Sequence, residues 1–453
     1  MLRIPEDVEA NLNAKAKELL GWVRPPYEWD GGSLAPYKLP KPSVSATVES
    51  KEIEDPQFGQ ADDHGQFITR FFLDDNKLAG LERDAYEELV IVAETMQALP
   101  ELRNVSSIAT LESLIFSWIE ESFLDLTQQD MVAKVLELLE PLIKENEIWI
   151  PVPILIISEN INIGNIELRT IDERLLVEWQ EFENSRFPDS EERLESIYKD
   201  YRKKYQGRAA AFIKIIAEPN YAEEVAFRET DRAISVLRYY DPALQDPNLI
   251  SYCGLEGRFL TPTSFTIHTE NDANPVFHKG YHGTLPLPWI LDPPYLSIIR
   301  SNGLDIMGTM LTDDAITPFE QAIMDSILIY TRSAFESEPV DKIIYILAAL
   351  ETILLRGKKE RISSNVRERM AEFIGDGTED KKMLISDFKR VYKLRSDFLH
   401  HGQKRNDVII LERFMVNTWL LFNNLLLEKD KYKTKAEFLK SLDDNLRTTK
   451  SGP

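Results

Sequence analysis

One cysteine, Cys253, stands among 453 residues. That excludes an internal disulfide framework and any multi-cysteine zinc site, and makes a reducing cytoplasm the natural compartment. Long hydrophobic runs are missing too. The longest strongly apolar stretch, Ile148 to Ile157, holds Pro151 and Pro153 and is about half of the roughly twenty residues a membrane helix needs. The first residues lack the basic start and apolar stretch of a signal peptide. A soluble protein with no membrane association is expected. No glycine-rich phosphate loop followed by Lys-Ser/Thr occurs, which argues against a nucleotide-hydrolysing motor, and no repeat is found.

Basic residues are in deficit, 53 against 76 acidic, for a net charge of −23. Taken whole, this opposes nucleic-acid binding, since affinity for phosphates comes from Lys and Arg. The distribution alters that reading. Residues 356–453 hold 22 basic and 15 acidic side chains, a balance of +7, so the remainder carries −30. Such asymmetry suggests two parts with different partners. A solvated helical surface explains the same charge equally well. The chain is 43% apolar and 10% aromatic, enough for real cores and too much for a wholly disordered chain. Its length exceeds what one core organises, so two or three domains are expected.

Residues 1–80 are expected as an irregular, proline-rich segment: Pro25, Pro26, Pro36, Pro40, Pro42 and Pro56 interrupt periodic runs, and Gly31-Gly32 adds a turn. Residues 81–314 predict a mixed α+β sensory or regulatory domain. Three stretches between Leu81 and Glu147 recur at three-to-four spacing, with Thr127 and Asp130 as a weak capping box. Two strands follow around an Asn160–Asn165 turn, then charged helices over 172–205, a buried strand at 208–217 and a helix ended by Asp241-Pro242. Short strands and long loops fill 250–314.

From Thr317 the pattern is all-helical. Thr317-Pro318-Phe319-Glu320 is a full helix start, with N-cap, first-turn proline and capping glutamate. Five helices separated near Pro339, Gly357, Gly375 and Gly402 make a bundle over 315–430, with Gly375 as a left-handed stop. Residues 431–453 are expected as a frayed, charged tail. The fold class is therefore an α+β N-terminal region followed by an all-α C-terminal bundle.

The fourth helix of that bundle ends in Arg395-Ser396-Asp397-Phe398-Leu399-His400-His401-Gly402. A guanidinium can hold a phosphate through two parallel hydrogen bonds. A histidine near neutrality can move a proton to or from a ribose hydroxyl. With charge stabilisation at phosphorus, that is the minimum set for cleaving RNA without a metal or cofactor. Lys389, Arg390 and Lys393 before it, and Lys404 and Arg405 after it, are candidate RNA contacts. The histidines lie in the last helical turn, where the negative end of the helix dipole favours imidazolium. Ser396 and His400, four apart, share a face. Arg395 and His400 are about 140° apart on an ideal helix, which a site built from two facing copies would relieve.

Arg-polar-x-x-x-His at the end of a helix in a C-terminal bundle resembles the HEPN superfamily. Tyr392-x-x-Arg395-Ser396-x-x-x-His400 with Gly402 close behind resembles its Apea-like branch. Ala349-Leu350-Glu351 is similar to that branch's Leu-Glu helix, and Arg367-x-Arg369-Met370-Ala371 to its Arg-x-Ala stretch. The resemblance covers about residues 315–430. It implies a metal-independent endoribonuclease, dimeric through the bundle with the Arg–His pairs of two copies in one cleft. It also implies service as a prokaryotic toxin or anti-phage abortive-infection effector, here with an unknown trigger acting at the N-terminal region. The branch reads His-Gly where this chain reads His400-His401-Gly402. His400 keeps the spacing from Arg395, which sets the geometry, while His401 keeps the adjacency to glycine. The competing class is a non-catalytic interaction protein, in which an Arg–His–Asp cluster is structural, the bundle dimerises and the N-terminal domain binds a protein or small ligand.

Other candidates are weaker. His278 and His282 in VFHKGYHG are four apart, but the glycines predict a loop, and turn-capping histidines explain them better than zinc. Cys253 fits a small buried hydrophobe better than a nucleophile. Asp62-Asp63-His64 fits a solvated loop, and Trp118, Trp149 and Trp419 fit core positions.

Overall fold

A computed structural model describes residues 2–28, 67–74, 77–255, 263–268, 276–281, 288–312, 315–357, 360–401 and 407–450. At 25–28, 73, 74, 77, 263–268, 276–281, 399–401, 449 and 450 it describes the backbone alone. Asp62-Asp63-His64, His282, Gly402, Lys404 and Arg405 lie outside the described residues. The chain forms two compact units. One comprises Met1–Glu147 with Lys214–Val225, the other Ile148–Ile213 with Ala226–Pro453.

The first unit is helical around one apolar core. Helix α1 (Glu6–Gly21) is followed by strands β1 (Arg24–Glu28), β2 (Arg70–Asp74) and β3 (Lys77–Leu81) in the antiparallel order β1-β3-β2. Helices α2 (Arg83–Gln97), α3 (Ile108–Phe123) and α4 (Met131–Leu139) come next. Leu12 and Leu19, Leu89 and Met96, Leu111 and Ile115, and Val132 and Val135 supply buried stripes at three-to-seven spacing. The 1–80 stretch expected to be irregular thus holds a helix and three strands. Leu12, Ala16 and Leu19 bury one side of α1 ahead of the prolines. The Thr127–Asp130 capping box does not form: Asp130 makes no side-chain cap, and Thr127 Oγ1 accepts from Gln129 N instead. The α4 N-terminus is satisfied from α1, where buried Asn13 accepts from Val132 N at 2.9 Å.

Strands β4 (Lys144–Val152), β5 (Leu155–Ile157), β6 (Ile161–Ile163) and β7 (Ile166–Thr170) follow, then the charged helices α5 (Glu173–Arg186) and α6 (Glu191–Tyr205), strand β8 (Ala209–Ala217) and helix α7 (Pro219–Arg238). The unit boundaries fall inside β4, β8 and α7. The sheet order is β4-β8-β7-β6. The hairpin turn is tighter than the expected Asn160–Asn165 loop. β6 pairs with β7 around Gly164-Asn165, and Gly164 takes a positive φ of 63°.

The 250–314 stretch holds a hairpin of β9 (Thr263–His268) and β10 (Val276–Tyr281), strand β11 (Trp289–Leu291) parallel to β5, and two short helices that sequence did not suggest, α8 (Pro293–Ser301) and α9 (Leu304–Thr312). His278 therefore lies in a strand paired with Thr266, where a loop was expected.

The C-terminal helices are α10 (Pro318–Tyr330), α11 (Pro339–Leu354), α12 (Ile362–Ile374), α13 (Gly377–His401), α14 (Val408–Leu427) and α15 (Lys435–Lys450). The Thr317–Glu320 capping box forms in full. Gly375 is not the left-handed stop, as its φ is −80°. A Cβ there would meet Ala371 O at 2.5 Å and Lys381 Cγ at 2.6 Å, so close approach demands the glycine. The positive φ of this corner belongs to Gly377. The segment expected as a frayed tail carries α15, with Phe438, Leu439 and Leu442 buried. Arg369 of α12 explains its order. This buried guanidinium bonds both carboxylate oxygens of Glu360, both of Asp443 on α15, and Leu354 O. Trp118 is buried, Trp149 packs half-buried against Ile171 and Leu176, and Trp419 stacks on Tyr239. Among the described residues no helix is long and apolar enough to cross a membrane.

Candidate functional site

Helix α13 carries its apolar stripe through Leu384, Phe388 and Val391, all buried. One more step of four along that stripe arrives at Arg395, so a permanent cation continues the core face. Tyr392 stacks over Phe388 with 16° between the rings, and the Arg395 guanidinium carbon lies 5.8 Å from the Tyr392 ring centroid, a cation–π distance. Arg395 is half-buried, and among the described residues its Nε is buried without a hydrogen-bond partner. Glu351 faces it electrostatically from α11. Burial pushes the Glu351 carboxyl above its ordinary range, and the positive charge of Arg395 opposes that rise. No direct ion pair joins the two among the described residues. The Glu351–Arg395 relation needs α11 packed on α13, 44 positions away in sequence, so sequence alone supplies only the Leu-Glu resemblance as a signal.

The opposite side of α13 is different. Lys389, Lys393, Ser396 and His400 recur at spacings of four, three and four, which puts them on one helical face. Lys389 and Lys393 are exposed and Ser396 is half-buried. His400 and His401 sit in the last helical turn, and their side chains lie outside the described residues. Arg395 and His400 do not share a face. Arg390 is committed elsewhere, to Asp407 at 2.9 Å. The carboxylate of α13 that is buried and paired is Asp387, which accepts from Arg413 Nε at 3.0 Å and Nη2 at 2.8 Å. Asp397 is half-buried.

These pairings set the register of two antiparallel helices. Asp387 lies level with Arg413, and Arg390 with Asp407 at the very start of α14. The final eight to eleven residues of α13 therefore run past the α14 N-terminus, by about 12–16 Å. Arg395, Ser396 and His400 all lie on this projecting end. It offers a guanidinium with unused donor capacity, a hydroxyl and the exposed Lys393 ammonium, with exposed Lys389 one turn before on the same face, and together they suit an anionic, phosphate-bearing ligand. Elsewhere, burial pushes the Cys253 thiol up to about 12, which leaves it protonated and poorly nucleophilic at neutral pH. No cluster of three potential metal ligands forms among the described residues. No family model, curated protein or solved structure matches the chain.

Proposed function

We propose that the chain is a metal-independent endoribonuclease of the HEPN type, acting in a prokaryotic cytoplasm as a toxin or anti-phage effector under control of its N-terminal part. The observation that carries this reading is the projecting end of α13. There Arg395 retains a donor unsatisfied by the protein, next to a face bearing Lys389, Lys393, Ser396 and His400. Arg395 holds the scissile phosphate and steadies the charge that builds on it. His400 moves the proton of the attacking 2′-hydroxyl or the leaving oxygen, and Ser396 orients it. Lys389, Lys393, Lys404 and Arg405 track the RNA backbone. Arg390, held by Asp407, contributes less. The working assembly is a homodimer through the C-terminal bundle.

The test is purified protein incubated with total RNA in EDTA, beside Arg395→Ala and His400→Ala. The wild type should cut, and each variant should be slower by about 10²-fold or more. Equal RNA decay in all three overturns the site.

A further inference from the structure

Helix α9 carries two adjacent rows of side chains, each with a spacing of four: Asp305 with Thr309, and Ile306 with Met310. Facing them are Ile316 and Glu320, also four apart, at the start of α10, and Lys429, just after α14. Together they enclose a cleft of about 300 Å³. All of it lies within one compact unit of the chain. The cleft is graded from rim to floor. Asp305 and Thr309 are exposed, Ile306 and Ile316 are half-buried, and Met310 is only 3% exposed.

The charges in the cleft are unequally committed. Lys429 Nζ donates to Glu320 Oε1 and to Asp430 Oδ1, each at 2.8 Å. These bonds, to Asp430 first and then Glu320, hold the ammonium above its ordinary range. Glu320 is committed as well, since its other oxygen accepts from Thr317 N at 2.8 Å and Thr317 Oγ1 at 3.0 Å. Asp305 is the exception. Its carboxylate makes no hydrogen bond or ion pair among the described residues, and Thr309 Oγ1 donates to the Asp305 backbone oxygen instead, at 3.0 Å. A first-turn acid suits the α9 dipole, but that leaves both carboxylate oxygens open. One ammonium, Lys429, stands against three carboxylates, Asp305, Glu320 and Asp430, so the cleft is negative by two charges.

We propose that this cleft binds a small organic cation, an ammonium group on an apolar body of about ten non-hydrogen atoms. The ammonium pairs with Asp305 at the rim, and the body lies between Ile306, Met310 and Ile316. The size follows from the volume, which equals roughly ten water molecules at about 30 Å³ each and sits at the low end for ligand pockets. The sign follows from the open carboxylate. An anion meets a net negative charge, and a neutral molecule leaves Asp305 without a partner. The ligand touches α9 and α10 at once, so its occupancy ties the helix before the bundle to the bundle's first helix. The proposal is independent of RNA cleavage and holds whether or not the α13 end is catalytic.

Isothermal titration of the full chain with phenethylamine, a primary amine on an apolar body of matching size, tests this. The amine should bind with a dissociation constant on the order of 0.1–1 mM, as a ligand of this size allows. Phenethyl alcohol and hydrocinnamate carry similar bodies with a neutral and a negative head. Each should bind at least about tenfold more weakly. Asp305→Asn, a change of charge with little change of shape at an exposed position, should weaken the amine by about tenfold or more. Asp305→Glu should retain it, and Ile306→Trp, which fills the cleft, should abolish it. Thermal melts without ligand confirm that each variant folds. No binding of the amine up to about 10 mM overturns the proposal. So does equal binding of the three probes, or a folded Asp305→Asn variant that binds the amine as tightly as the wild type.

Discussion

Arg390 of α13 and Asp407 of the α14 N-cap are joined at 2.9 Å, and this pair marks where α13 leaves the bundle. Everything proposed for chemistry lies on the far side of it. Leu384, Asp387 and Phe388, which hold α13 in place, lie on the near side, and buried Val391 is one residue beyond it. Substitutions of Ser396 and His400, farther out, should therefore change activity with little effect on stability.

The roles on the projecting end separate by magnitude. Arg395→Ala should cost about 10²–10³ in RNA cleavage, and His400→Ala about 10²–10⁴. Ser396→Ala should weaken cleavage by less, and His401→Ala should be nearly silent. Arg395→Lys should fail almost as badly as alanine, because a point charge does not replace a planar fork. Thermal melts accompany each rate, and a dead variant with a wild-type melt reports lost chemistry. An active His400→Ala beside a dead His401→Ala would move the proton shuttle to His401.

Acid should unlock the α12–α15 junction. Hydrogen bonds from Arg369 hold the Glu360 carboxyl down at about 2. For a carboxylate depressed in the folded state, the stabilisation is present above the unfolded value near 4.5 and is lost as pH falls towards 2. Glu360→Gln should lower stability at pH 7 by about 1–2 kcal/mol. That is less than a fully buried pair would lose, because the Glu360 side chain remains 19% exposed. It should also flatten the loss between pH 4.5 and 2. Denaturant titrations across that range measure both, and an unchanged acid slope in the variant would remove Glu360 from the account.

At the α12–α13 corner, Gly375→Ala should destabilise by about 1–3 kcal/mol, because its Cβ meets a backbone oxygen that cannot step aside. At Gly377 a Cβ meets nothing within 4 Å, so Gly377→Ala should incur only the smaller conformational cost of its positive φ, about 1 kcal/mol. Urea midpoints that rank the two the other way would contradict the steric argument.

Sequence periodicity found α10 to α14 within a few residues, because each presents a strong three-to-four apolar stripe and several have explicit caps. It missed α15, whose buried side rests on Phe438, Leu439 and Leu442 amid charge, and whose order depends on Arg369, 74 positions earlier. It misread Gly375, since a glycine demanded by close approach looks the same in one dimension as one demanded by handedness. The Arg395–His400 spacing was legible because it is local. The burial of Arg395, its unsatisfied Nε and the field of Glu351 were not, because each is created by packing between helices. The exposed side of α14 was hidden for the opposite reason: Ile409, Leu420 and Leu427 read as more core until the bundle shows which side is already filled.

Arg369 has one more consequence. Together with Arg356, which pairs with the same two groups, its charge is balanced by carboxylates that enter from two sides, one 9 residues before it and one 74 after it. A fragment cut at residue 430 would keep every helix of the family resemblance and still leave half of that balance behind. The natural unit of this bundle is thus bounded by electroneutrality in its interior, and a protease cutting between 431 and 434 should release two pieces that continue to hold each other.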